Sequence, residues 1–403
     1  MTRVLFLSES FHPVLGGGEQ HILRLSRRLV EAGDAATVVT RQTDAAWPRL
    51  EDMHGVRVVR VPPAGPARTG KYAMLASAFA AVAREPGDVL VVRGTRVLAL
   101  PGLLAARLRA RPVVFQPEVN GELSGEVYSF GLLPQGSRSE RLLRGAVLLR
   151  NLWMRDADAF VAMSDAIGRE FLAHGVPAAK IAKIPHGVDT ARFRPASPEE
   201  RQRLRGVLGI PAERVVVTYT GRLLRGKGLQ TLLDAFEAAR AKGADLHLLF
   251  VGSGRGQALS VEDALRSRAA ASAEAGRIAF LDHMENVEEA LFATDVFVLP
   301  SVFEALGLSL VEAAACGIAC VGSNTGGIPD VIQDGESGVL FAPGEAGELA
   351  ATLARLAADP NQRARLGRAA RARVQQRFDE LDSVASYRSL FDELRLRRRS
   401  AAA

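Results

Sequence analysis

Glu304 and Glu312 stand eight residues apart in the string VLPSVFEALGLSLVEAAACG. Val296 to Pro300 (VFVLP) reads as a short buried strand and Gly307 to Gly317 as a helix. One carboxylate therefore belongs to the loop at a strand's carboxyl end and the other to the helix that follows, the place where open α/β sheets bind ligands. A helix N-terminus there also offers unpaired amides to a phosphate. A glycosidase-type acid/base pair fits poorly, because eight helical residues span roughly 12 Å and such carboxylates lie about 5–9.5 Å apart. Carboxylates split between loop and helix suit the two parts of one long ligand, such as a sugar and a ribose. The plainer reading is a pair of solvated charges.

A second constellation precedes it. Gly221 to Gly228 reads GRLLRGKG, directly after one apolar run and before a helix starting near Leu229. Glycines let the backbone turn tightly, and Arg222 and Lys227 would set two cations over a diphosphate. The same string matches a P-loop up to its last position, which needs Ser or Thr for Mg²⁺ and holds Gly228. A P-loop nucleotide hydrolase and a basic surface loop are the alternatives. Gly16, Gly17 and Gly18 suit close approach of backbone amides to a ligand. Gly252, Gly254 and Gly256 (GSGRG) follow a further strand, but G-x-G-x-x-G is missing after the first strand, so a nicotinamide dehydrogenase fits poorly. Of seven scattered histidines, His12 and His186 stand in glycine- and proline-containing loops.

Strands and helices alternate to position these groups. Arg3 to Ser8 is a strand, and Glu19 to Ala32 is a helix with Ile22, Leu25 and Leu29 on one face. Apolar runs recur at 36–40, 56–61, 88–93, 112–116 and 159–164, as expected of parallel strands covered on both faces. Pro185 to Pro198 is rich in turn residues and reads as an interdomain linker. The pattern then restarts with VVVTYTG, LHLLFVG, IAFLD, VFVLP and ACVGS. The expectation is an α/β protein of two doubly wound, Rossmann-like parallel-sheet halves. The expected divisions are 1–187, 188–378 and a C-terminal helix, 379–403, with a basic, frayed tail LRLRRRSAAA that returns to the first half.

The 403 residues allow two domains, and 48% hydrophobic content allows sizeable cores. A net charge of +6 fits anionic partners. Arginine far outnumbers lysine, so part of the basicity is compositional. Aromatic residues make up only 6%, with no interleaving of aromatic and basic side chains, which argues against a nucleic-acid platform. Cys316 and Cys320 imply no disulfide framework or zinc site. No run approaches a membrane span, and Met1 to Ser8 enters a strand directly, so a cytoplasmic protein is expected. Arg107, Arg109, Arg111, Arg138, Arg141, Arg144 and Arg150, the last four interleaved with Leu142, Leu143, Val147 and Leu148, raise peripheral contact with an anionic inner membrane face; an ordinary helix with a core stripe is the alternative.

Taken together and in this order, the motifs resemble the GT-B nucleotide-sugar glycosyltransferases of family 4, the "glycosyl transferases group 1". The likeness covers nearly the whole chain and is strongest from Ser164 to Phe341. Glu304 through Glu312 resembles that family's E-x7-E motif, and GRLLRGKG its diphosphate loop. PHGVDTARFRP resembles its joining segment, with His186 where asparagine is more usual. GGIPDVIQDGESGVLF resembles the next block, with Asp330 where glutamate is commoner, and FHPVLGGGEQH the N-terminal glycine loop. The resemblance implies two Rossmann-like domains facing across a cleft. It implies retaining, metal-independent transfer of a hexosyl group from a nucleoside-diphosphate sugar, with no further cofactor, in polysaccharide, glycolipid or glycoside synthesis. By resemblance, Glu312 holds the donor ribose and Glu304 the sugar hydroxyls. Arg222 and Lys227 neutralise the diphosphate, with the amides of Gly307, Leu308 and Ser309.

The chain departs from the family after Pro112 to Gln116, where many relatives carry a histidine–glycine pair and this sequence reads PEVNGELSGEVYSFG. Glu118 or Asn120 stands near that place, so no catalytic histidine is carried over. Pro117 to Gly136 is long for a loop. It is expected to shape the acceptor pocket and close over it, with Val127, Phe130, Leu132 and Leu133 packing; a disordered insert without function is the alternative. A sugar-nucleotide epimerase or a phosphorylase of the same fold remains the alternative activity. The acceptor is expected to be a glycan, a lipid-linked sugar or a small molecule.

Overall fold

The computed structural model describes every residue except 15, 66–71, 130–133, 135, 258 and 403. Two compact units are present, Met1–Pro185 with Leu381–Ala403, and His186–Glu380. These limits lie two residues from the divisions after 187 and 378. Most of the 185–198 segment is no loose linker. Phe193 is buried, its carbonyl accepts from Arg371 Nη1 at 3.2 Å, and Arg192 Nη2 pairs with Glu288 at 2.8 Å, all inside the second unit.

The first unit contains β1 (Arg3–Ser8), β2 (Ala35–Arg41), β3 (Leu50–Met53), β4 (Val56–Val61), β5 (Val89–Arg93), β6 (Val113–Gln116), β7 (Ala159–Ala162) and β8 (Ile181–Lys183). The sheet order is β3-β4-β2-β1-β5-β6-β7-β8. All its pairings are parallel except β3 with β4. Strand β3 has no apolar run and lies at the edge, so hydrophobic patterning passes over it. Its signal is the turn: His54 (φ 56°) and Gly55 (φ 82°) are both left-handed, as a two-residue hairpin requires.

Val4, Phe6, Val38, Val58 and Val91 form one face of this sheet, packed against Ile22, Leu25 and Leu29 of helix Gly17–Glu31. Tyr387 and Phe391 of the C-terminal helix, Glu380–Ala402, close the same core. Arg388 Nε meets Asp34 at 2.8 Å and Thr2 Oγ1 donates to Asp392 at 3.0 Å, which seats that helix beside β1. The helix runs through Ala402. Leu, Arg and Ala are strong helix formers, and Arg397 pairs with Glu393 one turn earlier.

The second unit holds β9 (Val215–Thr220), β10 (Leu246–Val251), β11 (Ile278–Leu281), β12 (Val296–Leu299), β13 (Ala319–Ser323) and β14 (Val339–Phe341). The order is β11-β10-β9-β12-β13-β14, parallel throughout. Numbered within the unit this is 3-2-1-4-5-6, the arrangement of a dinucleotide-binding sheet. Both expected doubly wound parallel sheets are therefore present. Among the described residues, no helix is long and apolar enough to cross a membrane.

His247 on β10 is buried, and neither ring nitrogen makes a hydrogen bond. Burial first, then the charges of Arg214, Arg277 and Arg205, push its pKa down from 6.5 to about 4. Below pH 6.5 the unfolded chain takes up a proton that the folded chain refuses. Stability is thus unaffected at neutral pH and is lost as pH falls from about 6.5 towards 4, by up to about 3 kcal/mol. His247→Leu is expected to flatten that part of the stability–pH curve, measured by urea denaturation between neutral pH and the onset of acid unfolding. A variant curve parallel to wild type would remove His247 from the acid response.

Candidate active site

In the second unit the strand order reverses between β9 and β12. The loops that leave these two strands must diverge, and the crevice between them is the ligand position of such sheets. GRLLRGKG is the β9 loop and the segment containing Glu304 is the β12 loop. Tyr219 Oη donates to the Arg222 carbonyl at 2.9 Å, and a 3₁₀ turn covers Arg225–Lys227. Gly228 (φ 66°) then caps helix Leu229–Ala241. Val302 N donates to the Gly226 carbonyl at 2.9 Å. A Cβ on Gly228 would press into the Pro300 carbonyl oxygen. Only glycine lets the two loops meet there.

That closeness brings together two residues 77 positions apart: Lys227 Nζ lies 2.7 Å from Glu304 Oε2. Ser301 Oγ donates to the same oxygen at 3.1 Å. Arg222, on the same loop as Lys227, is half-buried and forms no ion pair with an acid among the described residues. Gly307 is not the first helical residue, contrary to the sequence expectation. Its φ of 89° makes it a left-handed cap to helix Leu308–Ala315, whose first amides are those of Leu308 and Ser309. Glu312 is half-buried further along that helix. The hydrogen bonds that Arg192 donates to Glu288, and then the charges of Glu288 and Glu312, raise the pKa of Arg192. The structure thus joins Glu304 to Lys227 and sets Glu312 in the electrostatic range of Arg192.

Two of the GSGRG glycines have a packing reason. A Cβ on Gly252 would meet the Gly221 carbonyl, and one on Gly254 the Leu223 carbonyl. The glycines bring this turn against the β9 loop. Ser253 Oγ and Gly254 N both donate to buried Glu262, at 2.6 and 2.8 Å, fixing the turn from below.

In the first unit the order reverses between β1 and β5. The register aligns Arg60, Thr40, Ser8, Arg93 and Gln116, one from each of five adjacent strands. All five are buried, forming a polar rung above the apolar core at the carboxyl edge. Arg60 is held by the His12 carbonyl at 3.1 Å and by Glu51 at 2.7 Å, and Gln116 donates to Tyr387 Oη at 3.1 Å. Arg93 Nη1 makes no hydrogen bond and lies 3.4 Å from Glu118 Oε1. The Arg93 guanidinium rests on Gly18, where a Cβ would collide with it, and the Glu19 carboxylate fills the space a Cβ on Gly16 would need. Helix Gly17–Glu31 starts at this point. Arg93, Gly18 and Glu118 therefore meet, with Gly16 covered by Glu19. The sequence reading missed Arg93, although an arginine ending a buried apolar run (DVLVVR) at a strand's carboxyl end was its signal. His186 is buried next to Gly187, whose missing Cβ makes room for the Asp379 carbonyl.

The segment after β6 is bonded to the body of the first unit. Glu122 is buried and accepts from Thr95 N (2.8 Å), Thr95 Oγ1 (2.7 Å), Glu118 N (2.6 Å) and Val119 N (3.2 Å). Glu170 accepts from the amides of Gly121, Leu123 and Ser124. Arg150 donates to the Glu122 carbonyl at 2.7 Å, and Asn151 to the Leu123 carbonyl at 2.7 Å. The buried Glu122 carboxylate would be costly without its donors. Residues 118–124 thus form a hydrogen-bonded wall, with Glu118 exposed and Asn120 half-exposed on it. Val127 packs by Gly121, while Phe130, Leu132 and Leu133 lie outside the described residues.

The loop geometry makes a paired prediction. Gly228→Ala adds a left-handed penalty and a backbone collision, so it should cost about 2 kcal/mol or more. Gly226→Ala, where a Cβ meets nothing within 4 Å, should cost under about 0.5 kcal/mol. Urea denaturation of both variants checks this. Equal effects would mean that the two loops do not touch at Gly228.

Residues 16–187 match the glycosyl transferase 4-like domain family model, and residues 200–373 match that of the glycosyl transferases group 1. The chain is 31% identical over 357 residues to a D-inositol 3-phosphate glycosyltransferase of Geodermatophilus obscurus, covering 84% of this chain and 77% of that protein. It is 28% identical to the sulfoquinovosyl transferase SQD2 of Arabidopsis thaliana, covering 92% and 70%. Its fold is similar to that of sucrose-phosphate synthase from Thermosynechococcus elongatus (TM-score 0.83, 24% identity, 100% of each chain). It is also similar to that of Anabaena HepE solved with UDP and glucose (TM-score 0.78, 22% identity, 97% and 100%). With both crevices built by the residues that carry the family motifs, the chain belongs to the glycosyl transferases group 1 and has the GT-B fold.

Proposed function

We propose that the protein is a retaining hexosyltransferase that uses a nucleoside-diphosphate sugar and needs no metal. The observation that carries this reading is the Lys227–Glu304 pair, 2.7 Å apart at the reversal of the second sheet, beside the N-terminus of helix Leu308–Ala315. Lys227 and Arg222 supply positive charge for the departing diphosphate, and the Leu308 and Ser309 amides add donors aimed at it. Preorganised charge of this kind stabilises a leaving group without reorganisation during the reaction. Glu304, oriented by Lys227 and Ser301, accepts from hydroxyls of the transferred sugar, and Glu312 accepts from the ribose. The Gly16–Gly18 loop offers backbone amides to an anionic substrate group.

The bond between the sugar's anomeric carbon and the diphosphate oxygen breaks as the acceptor oxygen forms a bond on the same face. The acceptor's proton passes to the departing phosphate oxygen, so no protein base is required. Glu118 and Asn120 orient the acceptor from the fixed wall of the first unit. Arg93, buried with Nη1 outside any hydrogen bond, favours an acceptor that carries a negative charge. The relatives named for D-inositol 3-phosphate and sulfoquinovosyl transfer agree with a charged substrate.

Titration calorimetry with UDP, GDP and ADP, followed by a panel of their sugars, is the primary test. At least one nucleotide should bind, and Lys227→Ala should weaken it tenfold or more; absence of binding by all three would end the proposal. Glu304→Gln removes charge-assisted hydrogen bonds worth about 1.5–3 kcal/mol each, so turnover should fall on the order of 10- to 100-fold with little change in nucleotide affinity. Glu312→Gln should mainly weaken nucleotide binding. Wild-type activity in both glutamine variants would contradict the donor assignment. Glu118→Gln, Asn120→Ala and Arg93→Gln should impair transfer to acceptor while nucleotide affinity is kept, whereas parallel loss of nucleotide affinity would move these residues to the donor. The anomeric configuration of the product, read by NMR, separates retention from inversion. Epimerisation without acceptor, or cleavage that depends on free phosphate, would replace the transferase reading.

A further inference from the structure

Helix Arg138–Met154 is half amphipathic. Val147, Arg150, Asn151 and Met154 are buried, and Arg150 is fully engaged in the wall described above. Its opposite side is neither polar nor covered. Leu142, Leu149, Leu152 and Trp153 fall on one face at helical spacing. Helix Ala99–Leu108 packs against it, with Leu100, Leu104 and Leu108 four residues apart, hence also aligned. These seven side chains are between 40% and 69% exposed. Single exposed leucines are ordinary, but a stripe of them across two adjoining helices marks an interaction surface.

The charges beside it are one-sided. Arg107, Arg109, Arg138, Arg141, Arg144 and Arg155 are exposed on these helices and their ends, against Glu140 and Asp156 alone. Glu140 is buried under Arg144 and the Gly136 amide, and Asp156 pairs with Arg107. The surplus is therefore positive. A second copy docked face to face would bring the two sets of arginines together, which like-charge repulsion opposes. An anionic lipid surface answers both features. Leucine and tryptophan enter the headgroup–acyl boundary while arginine side chains reach the phosphates.

We propose that this face of the first unit docks the protein on anionic membranes, with Leu149 and Trp153 inserted and Arg109 and Arg141 on lipid phosphates. The surface differs from the arginine cluster that sequence alone marks out. Arg111 is buried and donates to the Val82 and Glu85 carbonyls, and Arg150 and Val147 face inward. Their places are taken by the exposed leucines of the neighbouring helix.

The chain has two tryptophans, Trp47 and Trp153. In a Trp47→Phe background, Trp153 emission should shift to the blue, and brominated acyl chains should quench it, when phosphatidylcholine vesicles containing about one-third phosphatidylglycerol are added. Vesicles of phosphatidylcholine alone should have no effect, and about 0.5 M salt should release the protein. In flotation, Leu149→Ser/Trp153→Ser and Arg109→Ser/Arg141→Ser should each lower the partition coefficient tenfold or more, with thermal transition and nucleotide affinity unchanged. Failure of the wild type to float at low salt overturns the proposal, as does equal binding to neutral vesicles or wild-type flotation of both variants. A dimer that Leu149→Ser/Trp153→Ser abolishes, in a protein that does not float, would assign the face to a second copy.

Discussion

Parallel strands whose order reverses beside the first strand are the constraint on which the rest depends. When β9 and β12 lie side by side, their outgoing loops must part to reach helices on opposite faces, and the gap has backbone amides on both sides. The same break lies between β1 and β5. Every group given a chemical role here hangs from one of these two edges. The apolar strands contribute little chemistry, but their register decides which residues arrive at the edge together. Ser8, Thr40, Arg60, Arg93 and Gln116 share one level because five strands share one phase.

At the second edge the decisive contact is between backbones. Gly228 lies on Pro300 and Gly226 accepts from Val302, so the two loops are held at a fixed distance before any side chain is considered. The Lys227–Glu304 pair is a consequence. Its partly buried position shields it from water more than a surface ion pair is shielded, and the surrounding loops restrict both side chains, so the entropic cost is already met. A cation and a carboxylate held side by side place opposite charges at one point of the β9/β12 crevice.

The first unit uses another means to the same end. The carboxylates of buried Glu122 and half-buried Glu170 collect seven hydrogen bonds from chain groups between Thr95 and Ser124. Irregular backbone is thereby made as rigid as a strand, because leaving those charges unpaired would cost more than ordering the loop. Arg150 and Asn151 complete the network from the inner side of helix Arg138–Met154. One helix thus anchors residues 118–124 with its buried side and displays an apolar, basic face with the other.

The sequence by itself determined the two-sheet architecture, the glycine loops, and Glu304, Lys227 and Arg222 as residues at a strand's carboxyl end. Apolar runs of five or six residues between helical patterns allow little else, and glycine clusters after them mark sharp turns. It did not disclose β3, whose four residues are an edge with none fully buried and only Met53 packed on the core. Nor did it separate Gly252 and Gly254, which make room for another loop, from glycines facing a ligand. Arg93 stayed hidden among the many arginines. What distinguishes it is burial at the reversal of the sheet, over Gly18 and against Glu118, and burial is a property of neighbours far apart in the chain. The outward leucines of two helices posed the same difficulty. A helical period tells which residues share a face, but only packing against the sheet decides which face is covered.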